Sequence, residues 1–133
     1  IANSAGNNGN DLATVENFPP DSDGVFAVGA TDIFDTMALF SNWGSKVAML
    51  APGVGTVGAV PGGKYEAWFG TSFAAPHVCG LMALLLQGRR KLVDSAAVDR
   101  FWDEVRSHST TEHIRHQRAN TTTRFLYINP NMS

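Results

Sequence analysis

The segment Gly70-Thr71-Ser72-Phe73-Ala74-Ala75-Pro76-His77-Val78 marks the point where the chain changes pattern. Beyond it, Val78, Leu81, Met82, Leu84, Leu85 and Leu86 leave almost no polar face, which predicts a buried helix ending near Gln87-Gly88. Pro76 lacks an N–H, a loss that is harmless only in the first helical turn, so the helix is expected to start close to Ser72. The Ser72 hydroxyl then lies at the mouth of a helix, where unpaired N–H groups and the positive dipole end stabilise an anion. A serine so placed is suited to attack on a carbonyl, provided a base takes its proton. Gly70 lets the backbone turn sharply and a substrate approach. On the bare tripeptide Gly70-Thr71-Ser72 alone, the favoured reading is that Ser72 is merely an N-cap.

Outward from this segment, Val25 to Ala30 and Val47 to Leu50 are short apolar runs between turn signals, and both read as buried strands. Ile1 to Ser4 reads as the end of another, followed by a turn-forming stretch, Ala5-Gly6-Asn7-Asn8-Gly9-Asn10. Apolar runs without alternation suggest strands covered on both faces, the habit of a parallel sheet. Downstream, Asp94 or Ser95 caps a second helix whose Val98, Phe101, Trp102 and Val105 form one apolar stripe. Ser107 to Thr123 is polar, and Arg124 to Ile128 offers a last short strand. A helix apolar on all faces needs neighbours on all faces, and the chain supplies few. Part of the fold is therefore expected elsewhere, in keeping with a chain that opens at Ile1 rather than Met.

The 133 residues make one domain at most, with 44% hydrophobic and 17% charged residues and 10 Lys plus Arg against 12 Asp plus Glu. That composition supports a core and is not that of a disordered tail. The near-neutral balance lacks the footprint of a nucleic-acid binder, and Arg89-Arg90-Lys91 reads as a solvated helix end. The longest apolar stretch, Val78 to Leu86, is too short to span a membrane. One cysteine, Cys79, excludes an internal disulfide and reads as a buried packing thiol.

The nine residues from Gly70 to Val78 resemble the nucleophile motif of the subtilisin-like serine proteases. The likeness continues without a gap from Leu39 to Ser72, through Phe40-Ser41, Ala51-Pro52-Gly53 and Pro61-Gly62, and includes Val25 to Ala30 and Ala5-Gly6-Asn7. It covers residues 1 to 105 well and the last 25 or so poorly, where Tyr127-Ile128-Asn129 is weakly similar to the family's closing strand. The resemblance implies an α/β fold: residues 1–133 would be the C-terminal portion of a three-layer domain, a mainly parallel sheet between helices. It implies a serine endopeptidase acting through an acyl-enzyme on Ser72, with Asn7 donating to the oxyanion alongside the Ser72 N–H. Ala5 and Gly6 would line one wall of the pocket for the substrate side chain, with Asn8 at its rim and Gly70 and Thr71 bordering the substrate. Glu16 or Asn17 is placed to reach the pocket floor, where Glu16 would favour basic side chains.

The resemblance also implies what lies elsewhere. The family's Asp and His precede the part matched here, so the expected partners are a polypeptide substrate and a complementary N-terminal half carrying both. The alternative is a non-catalytic binding or scaffold protein that kept the fold. Hydrolysis of this kind needs no cofactor, and calcium is expected, if anywhere, on the other half. Lys46 and Ala48 stand where the family often has two carboxylates around a cation, so that site is expected to be empty, the Lys46 ammonium supplying the charge. His77, at Ser72 + 5 on the same helix, is not the base. His113 and His116 could share a helix face, but with His108 and Glu112 they make a poor metal set.

Two phosphate-loop patterns are set aside. Gly53-Val54-Gly55-Thr56-Val57-Gly58 satisfies G-x-G-x-x-G, and Gly58 to Lys64 satisfies G-x-x-x-x-G-K, but Pro61-Gly62-Gly63 and Tyr65 stand where a helix and a Ser/Thr are needed. Asn120-Thr121-Thr122 and Asn131-Met132-Ser133 are glycosylation sequons that mildly favour a secretory route and do not fix a compartment.

Overall fold

The computed structural model describes residues 1–16, 19, 20, 24–89, 92 and 94–126. Asn17, Arg90-Lys91, Tyr127-Ile128-Asn129 and the sequon at Asn131 lie outside these residues.

Three parallel strands form the floor: β1 (Ala2–Ser4), β2 (Phe26–Thr31) and β3 (Val47–Pro52). All six residues of β2 are buried, as expected of an apolar run covered on both faces. After β3 the chain leaves the sheet in an antiparallel hairpin, β4 (Val54–Val60) and β5 (Lys64–Phe69), turned at Pro61-Gly62-Gly63. It then enters helix α1 (Thr71–Leu86), followed by helix α2 (Ser95–Ser107) and two short strands, β6 (Ser109–Thr110) and β7 (Phe125–Leu126). The five-stranded sheet runs β1-β2-β3-β7-β6, parallel except for the β6–β7 pair, so β1 is an edge strand. The mainly parallel α/β sheet agrees with the expectation.

One core joins Phe26, Val28, Ala30, Met49 and Ala51 of the sheet to both helices. Helix α1 contributes Ala74, Val78, Leu81 and Leu85, and α2 contributes Phe101 and Val105. Trp102 stacks on Phe26 with ring centroids 5.1 Å apart. Each buried aliphatic or aromatic side chain is worth about 1.5–3 kcal/mol. The opposite face is closed by irregular chain, through Leu12, Met37 and the partly buried Trp43 and Ile114. Asp94 caps α2 as its sequence predicts, accepting from the Ala97 N–H at 2.6 Å. Arg89 on the exit from α1 donates to Glu104 of α2 at 2.6 Å, and this bond holds the Glu104 carboxyl below its ordinary range against the opposing effect of partial burial.

Four expectations are corrected. Helix α1 is not buried all round: Thr71, Ala74, Ala75, Val78, Leu81, Met82 and Leu85 are covered, whereas Leu84 is 53% exposed. Cys79 is exposed on that open side rather than buried, because nothing among the described residues packs there. Pro76 is the sixth helical residue, one turn later than the reading required, so its missing N–H removes the bond to the Ser72 carbonyl. His113 and His116 share no helix face, since residues 111–116 are irregular; among the described residues no three metal-ligating side chains cluster.

Candidate active site

Gly53 sets the entry to the site. Its N–H donates to the Thr31 carbonyl at 2.9 Å, and its own carbonyl accepts from the Gly70 N–H at 2.8 Å, so the hairpin's two ends are pinned together. A Cβ at Gly53 would lie 2.6 Å from the Ala30 Cβ and 2.8 Å from the Gly70 carbonyl oxygen, which explains a glycine there without any phosphate. Gly70 has φ 147, which favours glycine, and delivers the chain into α1.

Helix α1 begins without a capping side chain of its own; Gly70 occupies the N-cap position. Ser72 is therefore not the cap that its tripeptide suggests. The N–H of Thr71 is instead satisfied from 64 residues away, donating to Asn7 Oδ1 at 2.8 Å. The buried Thr71 hydroxyl donates to the same oxygen at 2.8 Å and accepts from the Gly6 N–H at 3.1 Å. Two donors on Oδ1 settle which end of the Asn7 amide is which. The Nδ2 end is thereby turned over Gly70, where a Cβ would stand 3.4 Å away. Ser72 itself is exposed and lies in a shallow cleft of about 360 Å³ between β1 and α1, with Ser4, Ala75, Pro76 and Cys79.

The loop bearing Asn7 is held from beneath by Asn42, buried to 1% exposure. Asn42 Oδ1 accepts from the N–H groups of Asn8 at 3.1 Å and Asn10 at 2.9 Å, and its Nδ2 donates to the Ala5 carbonyl at 2.9 Å. Ala5 is fully buried, and Asn7 and Asn8 face solvent. The structure thus brings together Gly6, Asn7, Gly70, Thr71 and Ser72, with Ala5 and Asn8 on the same loop. Glu16 is exposed. Asn42 is not legible in the sequence, where its one local signal is a polar residue between apolar Phe40 and Trp43.

His77 Nδ1 lies 2.8 Å from the Phe73 carbonyl one turn back, a contact within the helix. Lys46 and Ala48 line a separate cavity of about 580 Å³ with Arg106 and Thr122, away from Ser72. The hairpin also delivers an aromatic group that sequence reading missed: Trp68 stacks on Phe73 at 6.1 Å and Phe69 meets Phe40 at 6.2 Å, with Phe69 71% exposed.

Chemically, this is a hydroxyl at a helix N-terminus beside an amide whose free donor end is fixed. The chain as a whole is similar to known proteins. A family model described as the subtilase family, peptidase S8, matches residues 1–124. A thermophilic serine proteinase of Bacillus sp. (strain AK1) is 41% identical over 111 residues, covering 83% of this chain and 27% of the relative. Subtilisin E of Bacillus subtilis (strain 168) is 38% identical over 101 residues, 75% of this chain and 26% of the relative. A crystal structure of a cold-adapted subtilisin-like serine proteinase superposes with a TM-score of 0.81 at 32% identity, over 93% of this chain and 43% of that one. The chain thus spans under a third of the length of these curated relatives.

Proposed function

The chain belongs to the subtilase family of serine peptidases, and from that premise we propose that Ser72 is the nucleophile of an endopeptidase and Asn7 its oxyanion donor. The observation that carries this reading is the double engagement of Asn7 Oδ1 by Thr71, which spends the acceptor end and presents the donor end beside the start of α1. Ser72 attacks the scissile carbonyl, and the charge that develops on its oxygen is met by the Asn7 Nδ2–H and the Ser72 N–H. Gly6 forms a wall of the side-chain pocket, Asn8 its rim and Gly70 its border with the substrate backbone, whereas Ala5 and Thr71, expected to line it too, have no exposed surface and support it from behind, Thr71 through its two bonds to Asn7. The reaction then follows acyl-enzyme chemistry, with no cofactor in any step.

Ser72 needs a base and an orienting carboxylate. We assign both to a complementary segment, the N-terminal portion of the same domain, on two grounds. The outer face of α1 is bare, its His77, Gly80, Ala83, Leu84 and Leu86 lining an apolar groove of about 700 Å³. The solved relative, matched over 43% of its length, has further chain with which to cover such a face. The groove begins at His77, little more than one turn beyond Ser72 on the same helix, so a segment that fills it and continues towards the start of α1 approaches the nucleophile.

The test is labelling by a fluorophosphonate probe, with Ser72→Ala as control and intact mass to count the chains present. Labelling that depends on Ser72 when the complementary segment is present is the expected result. A folded, assembled sample that stays unlabelled would overturn the reading in favour of a non-catalytic binding or scaffold protein.

A further inference from the structure

The polar stretch from Ser107 to Thr123 has no part in the site as described so far, yet one of its side chains reaches the loop that carries Asn7. Arg118 Nη1–H donates to the Gly9 carbonyl at 2.7 Å across 109 residues of chain. Its Nη2–H donates to the Leu39 carbonyl at 2.9 Å. The guanidinium carbon lies 5.6 Å from the centroid of the Trp43 ring, whose Nε1–H donates to the same Gly9 carbonyl at 3.0 Å. Gly9 in turn donates its N–H to the Phe40 carbonyl at 2.8 Å. Among the described residues Arg118 makes no salt bridge; the donors it uses are spent on backbone carbonyls of two separate loops.

We propose that Arg118 is a positioning residue for the oxyanion donor Asn7, an assignment that rests on the function proposed above. Asn7 lies between two anchors. On one side the Gly6 N–H is tied to the Thr71 hydroxyl; on the other the Gly9 carbonyl is clamped by Arg118 and Trp43. Asn42 supports the loop from beneath through Ala5, Gly6, Asn8 and Asn10, and among the described residues its hydrogen bonds do not extend to Gly9 or Leu39. Beside the Gly9 N–H bond to the Phe40 carbonyl, the planar fork of Arg118 is the side chain that ties the Asn7 loop to the Leu39–Phe40 turn, because it supplies two donors in a fixed plane that a lysine cannot. Catalytic donors need placement to within about half an ångström, and a carbonyl two residues along the chain is a short lever on that placement.

The experiment is a double-mutant cycle in the assembled protease, this chain together with the segment carrying Asp and His. Arg118→Ala is measured alone and on an Asn7→Ala background, reading kcat and KM for a peptide substrate. We expect Arg118→Ala to lower kcat by about tenfold with KM within about twofold, since a small misplacement of a catalytic group is costly. On the Asn7→Ala background the same change is expected to cost less than about twofold, because the group being positioned is gone. Arg118→Lys should recover only part of the rate. An equal loss in both backgrounds, or no loss in either, would overturn the proposal. If Arg118→Ala does not fold, Arg118→Lys enters the same cycle with the same criterion. Hydrolysis that survives Ser72→Ala would instead sink the underlying function, so the two failures are told apart.

Discussion

In the proposed function Asn7 has two ends with separate jobs, and two substitutions separate them. Asn7→Ala removes both: the Thr71 N–H and hydroxyl lose their acceptor, and the oxyanion loses a donor. Loss of a helix cap costs about 0.5–2 kcal/mol, or roughly 2–8 °C in melting temperature for a domain of this size. Loss of an oxyanion donor costs about 10²–10³ in kcat. Asn7→Asp keeps the acceptor and charges it. Its carboxylate takes both Thr71 donors at the positive end of α1, which should hold stability level or raise it by about 0.3–1 kcal/mol. The same charge faces the developing oxyanion. Two like charges about 4 Å apart repel by about 4 kcal/mol at an effective dielectric near 20. Asn7 is exposed, so solvent screening leaves part of that, on the order of a further 10–100-fold beyond the alanine variant. The two variants should therefore diverge, alanine losing stability and rate, aspartate losing only rate, and more of it. Calorimetry and the fluorophosphonate labelling rate measure the two quantities. An alanine variant as stable as the parent, or an aspartate variant that labels as fast, would refute the assignment of the two ends.

Three other outcomes follow from the same geometry. Gly53→Ala pushes a Cβ into the Ala30 side chain and the Gly70 carbonyl, and should cost about 1–3 kcal/mol in denaturant titration and slow Ser72 labelling by shifting Gly70. Glu104, whose carboxyl Arg89 holds below its ordinary 4.5, contributes stability that is fully present above that value and is lost as the pH falls through the depressed folded value. The gap between the parent and Glu104→Gln should thus be constant well above the ordinary 4.5 and shrink as the pH falls below it, and a gap independent of pH would exclude the ion pair as its source. The exposed Cys79 thiol should alkylate readily in this chain alone and about tenfold or more slowly once the complementary segment is seated, read by mass spectrometry; unchanged reactivity would place that segment elsewhere.

The elements that were legible in the sequence are those whose pattern is carried by apolar residues. Val25 to Ala30 and Val47 to Leu50, as unbroken apolar runs, and the stripe of α2, as a helical period, each present a pattern that burial explains, and the structure has them within a residue or two. The hairpin was not legible. In β4 half-buried residues alternate with exposed ones, β5 is exposed throughout, and three glycines at positions 53, 55 and 58 imitate another motif. Only Pro61-Gly62-Gly63 announced it. Cys79 differs for another reason: an apolar helix reads as a buried one, whereas burial depends on what lies opposite, and among the described residues nothing packs against that face. Arg118 was illegible in principle, because its partners are backbone carbonyls that any residue would supply.

At the start of α1 several local rules fail together. The helix has no side-chain cap of its own, no acidic residue in its first turn, a glycine at φ 147 before it and a proline six residues in. Each of these weakens a helix taken in isolation. Each also leaves a polar group of the backbone uncommitted at one place: no local side chain covers the Thr71 and Ser72 N–H groups, and Pro76 withholds a partner from the Ser72 carbonyl. The fold then satisfies the Thr71 N–H from Asn7, a residue that a local cap would have made redundant. A helix capped by an aspartate on the extended backbone that Asp94 has, rather than by Gly70 at φ 147, would hold its own N-terminus and release Asn7 from Thr71. It would also present a carboxylate where an anion has to form. The weak start of α1 is therefore tied to what its neighbours do, since the stability withheld locally is what engages Asn7 and fixes its donor end beside Ser72.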